Sequence, residues 1–317
     1  MSESFLHRYD AAAWAGARDA ILPSVHEVDR NATRIWFQFF PLALSEAFAR
    51  SETPEQLSTT LRLYGNYRLA MQADRSHWFF YGHRYWPQVK AAIVAAAESN
   101  DADANADLVG LIRQVAKKVA TAAGADESLV LGITAAGMMT LRQIGLPAFT
   151  QTANTSTASS HATTKSPDAI VAARKKDDSQ GLFGFLRGPN TRYTVRFDER
   201  RDAARFSLMN QQHLTTAAAL DTRDYSSGDR HSHEGPIPSD CRSASCGTCW
   251  VGILGGADKL SEVEPLEARR LREFGYLNSS DPKPFIRLSC MARASGNVTL
   301  VIPPWHGLIG KAGIGSV

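Results

Sequence analysis

Four cysteines, Cys241, Cys246, Cys249 and Cys290, are the residues of this 317-residue chain whose type and spacing point most directly to chemistry. The first three form C-x4-C-x2-C, and the fourth follows after 40 intervening residues. Three thiolates from one tight loop, joined by a distant fourth, match the plant-type spacing for a [2Fe–2S] cluster. Small residues between them (Ser243, Ala244, Ser245, Gly247) let backbone N–H groups approach the sulfurs and offset the negative charge of a cluster. Structural zinc also takes four cysteines, but usually as two short C-x2–4-C pairs. Two disulfides would suit a secreted chain, and a lone catalytic thiol would leave the triplet unexplained. The spacing favours the cluster over these alternatives, with all four cysteines as its ligands.

Other residues invite weaker chemical readings. The stretch His77–Trp86 (HWFFYGHRYW) places two histidines among aromatics, as a haem pocket or as a packed core. Ile35–Phe40 (IWFQFF) is either a buried helix face or a surface for peripheral membrane contact, and the buried face is favoured. His231 and His233 lie two apart on an expected loop, where a solvated surface is the plain reading. Met291 follows Cys290 and is expected to pack near it. No nucleophile–base motif, P-loop or strand-borne G-x-G-x-x-G is present, so neither a flavin nor a nicotinamide site is supported, and the chain does not read as an enzyme.

The elements that must position these residues fall into two regions. Residues 1–147 read as an all-α domain of five or six helices. Thr53-Pro54-Glu55-Gln56 is a helix start, followed by Leu57, Leu61, Tyr64, Tyr67 and Met71 at helical spacing. A helix starting near Ser24 is expected to kink at Pro41. Leu108, Leu111, Ile112, Val115 and Val119 form another stripe, ended by Gly124. Asp126 caps a last helix that runs to Gly145 and is stopped by Pro147. Residues 148–190 read as a flexible linker rich in Ser and Thr, with the charge run Lys175–Asp178 and an apolar island, Leu182–Leu186.

From Arg192 the apolar period switches to two. Tyr193, Val195 and Phe197, then Phe206 and Leu208, mark a hairpin. His213–Leu220 reads as one short helix. Trp250–Leu254 and Val298–Ile302 read as strands, and Glu262–Phe274 as a helix. Residues 191–317 are thus expected to form an α+β domain around the cysteine loop.

Composition narrows the function classes. The 35 basic and 32 acidic side chains leave a net charge of +3, with no basic face to support nucleic-acid binding. The first ten residues lack a secretory pattern. The apolar stretch Leu129–Leu141 stops at Arg142, short for a bilayer span. The expectation is a soluble, cytoplasmic protein with no transmembrane segment.

Residues 191–305 resemble the [2Fe–2S] ferredoxin domain of plant-type and adrenodoxin-like proteins. The resemblance rests on CRSASCGTC (Cys241–Cys249) followed by WVGIL, and on RLSC (Arg287–Cys290) followed by NVTLVIP. It implies a β-grasp fold and assigns Cys241, Cys246, Cys249 and Cys290 to the four ligand positions. Three departures stand out. Ala244 occupies a place where the family commonly has Gly. The Cys249–Cys290 gap is longer than in plant ferredoxins. Asp221–Asp240 looks like an insertion carrying Asp224, Asp229, Arg230, His231, His233 and Glu234.

Residues 192–317 hold 16 basic and 14 acidic side chains, which gives no acidic steering field for a basic partner. The expected role is one-electron transfer between a separate reductase and acceptor, with the helical domain as docking module. The alternative is a redox sensor in which cluster state alters helical-domain contacts. A third reading makes the helical domain the functional part and the cluster structural. The helical region resembles no family.

Overall fold

The computed structural model describes residues 5–42, 45–46, 69–99, 107–151, 165–176, 191–225, 232–273 and 284–304. The chain divides into two compact units. The described residues up to 151 lie in the first and those from 165 in the second.

The first unit is helical: α1 (Ala11–Ile21), α2 (Glu27–Phe39), a short α3 (Leu69–Gln72), α4 (Trp86–Glu98), α5 (Leu108–Ala123) and α6 (Glu127–Thr150). The caps define the boundaries. Asp107 accepts from the Gly110 N–H to start α5, and Gly124 ends it in the left-handed region at φ 59°. Asp126 accepts from the Ser128 N–H at 2.8 Å to start α6. These are the signals the sequence carries. The start of α2 falls later than expected, because the His26 imidazole, not Ser24, accepts from the Val28 N–H at 3.2 Å. The helix Thr53 was expected to start lies outside the described residues.

Helix α6 is the centre of this unit, packing against α1, α2, α4 and α5. A Cβ on Gly132 would collide with the Thr33 hydroxyl, so glycine is what lets α2 approach. The helical path breaks at Gly145 (φ 76°, ψ 162°), ahead of Pro147, and a further turn runs to Thr150. The apolar element is therefore longer than Leu129–Leu141, and by length and composition it could cross a membrane. Two-thirds of its most apolar window is buried in the unit. Arg142 within it pairs with Glu46 at 3.2 Å. Ile35, Trp36, Phe39 and Phe40 are buried in the same core, so this apolar run is spent on packing and is not offered to lipid.

The linker expectation needs correction in its middle. Pro167–Lys175 forms a helix, α7, with Ser166 as N-cap and Pro167 in the first turn. It belongs to the second unit: Ile170 is buried, and Arg174 packs over Gly255 while holding Glu199 at 2.5 and 2.9 Å. Burial of one apolar side chain and one enclosed ion pair offsets the ordering cost that the polar composition alone would not. The Ser/Thr run from 152 to 164 and the island Leu182–Leu186 lie outside the described residues.

The second unit is a mixed sheet with helices against it. Strands β1 (Arg192–Arg196), β2 (Arg205–Met209), β4 (Trp250–Gly255), β5 (Ile286–Leu288) and β7 (Val298–Val301) form one sheet in the order β2-β1-β7-β4-β5. Only β1 and β7 run parallel; the other neighbours are antiparallel. Strands β3 (Gln212–His213) and β6 (Arg293–Ala294) make a small second sheet. Helix α8 (Leu214–Ala218) packs against β2, and α9 (Pro265–Glu273) against β5. The alternating burial of β1 and β2 is the period-two pattern of the sequence.

Candidate metal centre

Strand register brings the distant cysteine home. In β4 and β5, Trp250 lies opposite Leu288. The ladder continues one step outward, where the Ser289 N–H donates to the Cys249 carbonyl at 3.0 Å. Cys249 thus enters β4 beside the end of β5. The chain then turns through Cys290, with the Met291 and Ala292 N–H groups both donating to the Leu288 carbonyl at 2.9 Å. The 40-residue gap in sequence is closed by this one pairing of strands.

The loop from Cys241 to Cys249 is shaped by backbone in the left-handed region. Arg242 (φ 54°), Ala244 (φ 59°) and Gly247 (φ 74°) take these angles. Alternation of this kind turns successive N–H groups to one side, as an anion nest does. The N–H groups of Ser243 and Cys246 both reach the Cys241 sulfur at 3.4 Å. The Thr248 N–H and hydroxyl reach the Cys246 sulfur at 3.5 and 3.2 Å. Thr248 also contacts Asp240 at 2.9 Å, tying the loop's end to the residue before its first cysteine.

The four free thiols form two pairs. Burial opposes ionisation of Cys241, but N–H bonds from Ser243 and Cys246 bring its thiol down to about 6. Its neighbour Cys246 is pushed up, by burial first. In the inner pair, the Cys249 thiol is raised by its hydrogen bond to Cys290 and by burial, while the same bond lowers Cys290. The Ala244 N–H adds to that lowering. Each pair therefore holds one low and one high thiol. Cys249 and Cys290 are buried, whereas Cys241 and Cys246 are partly open.

This arrangement fits a binuclear cluster: two soft thiolates for each of two irons, with N–H donors already facing the sulfurs. Among the described residues, no three His, Cys, Asp or Glu side chains are placed to hold a single metal ion.

The remaining sequence candidates are not drawn to this centre. Of the supposed insertion, Asp229, Arg230 and His231 lie outside the described residues, and His233 is exposed. The described parts are packed: Tyr225, Ser232 and Ile237 are buried, and Arg223 donates to the carbonyls of Ala203 and Arg205 and to Asp221. In the first unit, His77 is wholly enclosed. Its Nδ1 lies 2.9 Å from the Nδ1 of His83, and its ring is 3.9 Å from that of Trp86. Phe80, Gly82 and Trp86 of the same stretch are buried with it, whereas Trp78, Phe79, Tyr81, His83, Arg84 and Tyr85 are half-buried.

Sequence reasoning passed over Thr248, Asp240, Ser289 and Thr215. Thr248 and Ser289 adjoin cysteines and were findable on that ground. Thr215 is 74 residues from Ser289, and nothing local announces it.

Comparison with known proteins agrees with the geometry. Residues 210–295 match the Fer2 family, the 2Fe-2S iron-sulfur cluster binding domain. This part of the chain is a 2Fe-2S ferredoxin-type domain, and the group it binds is a 2Fe-2S cluster. The helical region is left unassigned by that match. No solved structure matches the chain.

Proposed function

We propose that the protein is a one-electron carrier whose cluster is held by Cys241, Cys246, Cys249 and Cys290. One observation carries the reading: two cysteine pairs, one buried and one partly open, converge where N–H groups already face the sulfurs. When bound, the cluster supplies a single electron-accepting centre. The chain's own residues supply charge-compensating donors and enclose the inner pair, and the open side at Cys241 and Cys246 is the short route to a partner. The electron passes from a separate reductase to a separate acceptor, as a ferredoxin-type domain suggests.

We assign the helical unit a docking role. In support, Ile35, Trp36, Phe39, Phe40 and His77 are buried inside it, which leaves its outer surface as the part that can act. We place the protein in a reducing compartment such as the cytoplasm, where cysteines stay available as thiolate ligands.

The test is anaerobic reconstitution of the full chain, with iron and sulfide assays and a one-electron redox titration. A reversible titration in the wild type, with loss of the visible spectrum and iron in Cys290→Ala, supports the reading. Retention of full iron and spectrum in Cys290→Ala would overturn the ligand assignment. An intact cluster that cannot be reversibly reduced would overturn electron transfer.

A further inference from the structure

The Thr248 hydroxyl stands between two acceptors. It reaches the Asp240 carboxylate at 2.9 Å and the Cys246 sulfur at 3.2 Å. Asp240 precedes the first cysteine of the loop and Thr248 precedes the third, so the contact also joins the loop's two ends. Asp240 is exposed and Thr248 half-buried, on the partly open side of the centre where Cys241 and Cys246 lie.

A hydroxyl has one proton to give, so the two acceptors compete for it. A hydroxyl committed to a carboxylate normally sits about 2.5–2.7 Å from it. At 2.9 Å the bond to Asp240 is stretched, and the sulfur at 3.2 Å takes the rest of the proton. The Thr248 N–H donates to the same sulfur at 3.5 Å, but the backbone fixes that donor, whereas the hydroxyl can turn. Water and salt screen the field of an exposed carboxylate. The shared hydroxyl is therefore the stronger route by which Asp240 acts on Cys246.

We propose that Asp240 is a positioning residue that holds the reduction potential of the centre down, by drawing the Thr248 hydroxyl away from the Cys246 sulfur. This rests on the electron-transfer reading above. The electron comes from an external one-electron donor, dithionite in the test. Donation to sulfur stabilises the more negative state and raises the potential. Whatever share of the proton Asp240 keeps is withheld from that state. No bond to hydrogen breaks: the hydroxyl keeps its proton and only rotates between its two acceptors.

The experiment is redox titration of the full holoprotein in wild type, Asp240→Asn, Asp240→Ala, Thr248→Val, Thr248→Ser and the Asp240→Ala/Thr248→Val double variant, with iron content and thermal melting measured alongside. Asp240→Ala is expected to shift the reduction equilibrium at least threefold toward the reduced form, about 28 mV for one electron from about 59 mV per tenfold. The shift should persist at about 1 M salt, where a Debye length of about 3 Å removes a through-water field but not a hydrogen bond. Asp240→Asn should act the same way by less, because its amide oxygen is a neutral acceptor. Thr248→Val should shift the equilibrium toward the oxidised form, and Thr248→Ser should restore it. In the double variant Asp240→Ala should add nothing to Thr248→Val, since no hydroxyl is left to draw away. A wild-type potential in Asp240→Ala, a shift of equal size with and without the Thr248 hydroxyl, or a shift lost at high salt would overturn the proposal while leaving electron transfer intact. If Asp240→Ala cannot hold iron, Asp240→Asn decides by the same comparisons; failure of both to hold iron would make Asp240 a structural tie of the loop and overturn the proposal. A wild type that cannot be reversibly reduced overturns both readings.

Discussion

The Arg287 guanidinium grips the Glu267 carboxylate with two bonds of 2.8 Å, and both side chains are almost wholly withdrawn from solvent. Other donors and acceptors of the pair are used as well. Arg287 reaches the Ser261 carbonyl at 2.7 Å, and Glu267 accepts from the Leu288 N–H at 2.9 Å. This links α9 to β5 three residues before Cys290. Coulomb attraction in a buried pair roughly offsets desolvation, so the pair is not a large net gain, but breaking it strands a charge. Glu267→Gln keeps the volume and removes the charge. It is expected to cost about 3–5 kcal/mol in urea unfolding, and to speed loss of iron to a chelator. A cost below about 1 kcal/mol would place it in the range of exposed pairs.

Ala244 sits at φ 59°, where an L side chain is disfavoured by roughly 1–2 kcal/mol. Ala244→Gly relieves that. It also removes a buried methyl, worth about 0.8 kcal/mol, and loosens the unfolded chain by about 0.4–1 kcal/mol. These nearly cancel, so Ala244→Gly should change stability by less than about 0.5 kcal/mol in urea titration and keep its iron. Ala244→Val, β-branched at a positive φ, should lose iron. A well-loaded valine variant would show that the loop does not hold this angle.

Much of this was readable in advance, for definite reasons. The cysteine spacing, the period-two strands and the Gly124/Asp126 boundary are local signals, and each appears where it points. Helix α7 was hidden by the Ser, Thr and charge content around it, although Ser166-Pro167-Asp168 is itself a helix start. The Arg287–Glu267 pair was hidden because charged residues on a helix read as a solvated face. The Ser289–Thr215 contact joins residues far apart in sequence, and only the register of β5 and the packing of α8 produce it.

Because α7 is part of the second unit, its contacts should matter there. Arg174 and Glu199 are largely enclosed, so Arg174→Ala leaves Glu199 poorly compensated and bares Gly255. The expected loss is about 1–3 kcal/mol, read from the melting of the cluster's visible bands in the full chain. An unchanged melt would mean that α7 contributes nothing to the unit it touches.

The last prediction concerns pH and the first unit. Burial lowers His77 from its ordinary 6.5 to about 3, with the nearby Lys90 pushing the same way and carbonyls of Ala73 and His77 opposing. In the pair with His83, one Nδ1 carries a proton and the other accepts it. The folded state thus keeps His77 neutral at pH values where the unfolded chain takes up a proton. Stability linked to this group is fully present above about pH 6.5 and falls as pH drops toward about 3, by about 1.4 kcal/mol per unit at its steepest. Urea unfolding of the full chain, followed by helical circular dichroism between pH 7 and 4, should show this slope. In His77→Phe, which keeps a ring beside Trp86 but cannot titrate, the slope should be shallower by about that amount. Equal slopes in the two proteins would mean that His77 already titrates normally in the folded state and that its enclosure is incomplete.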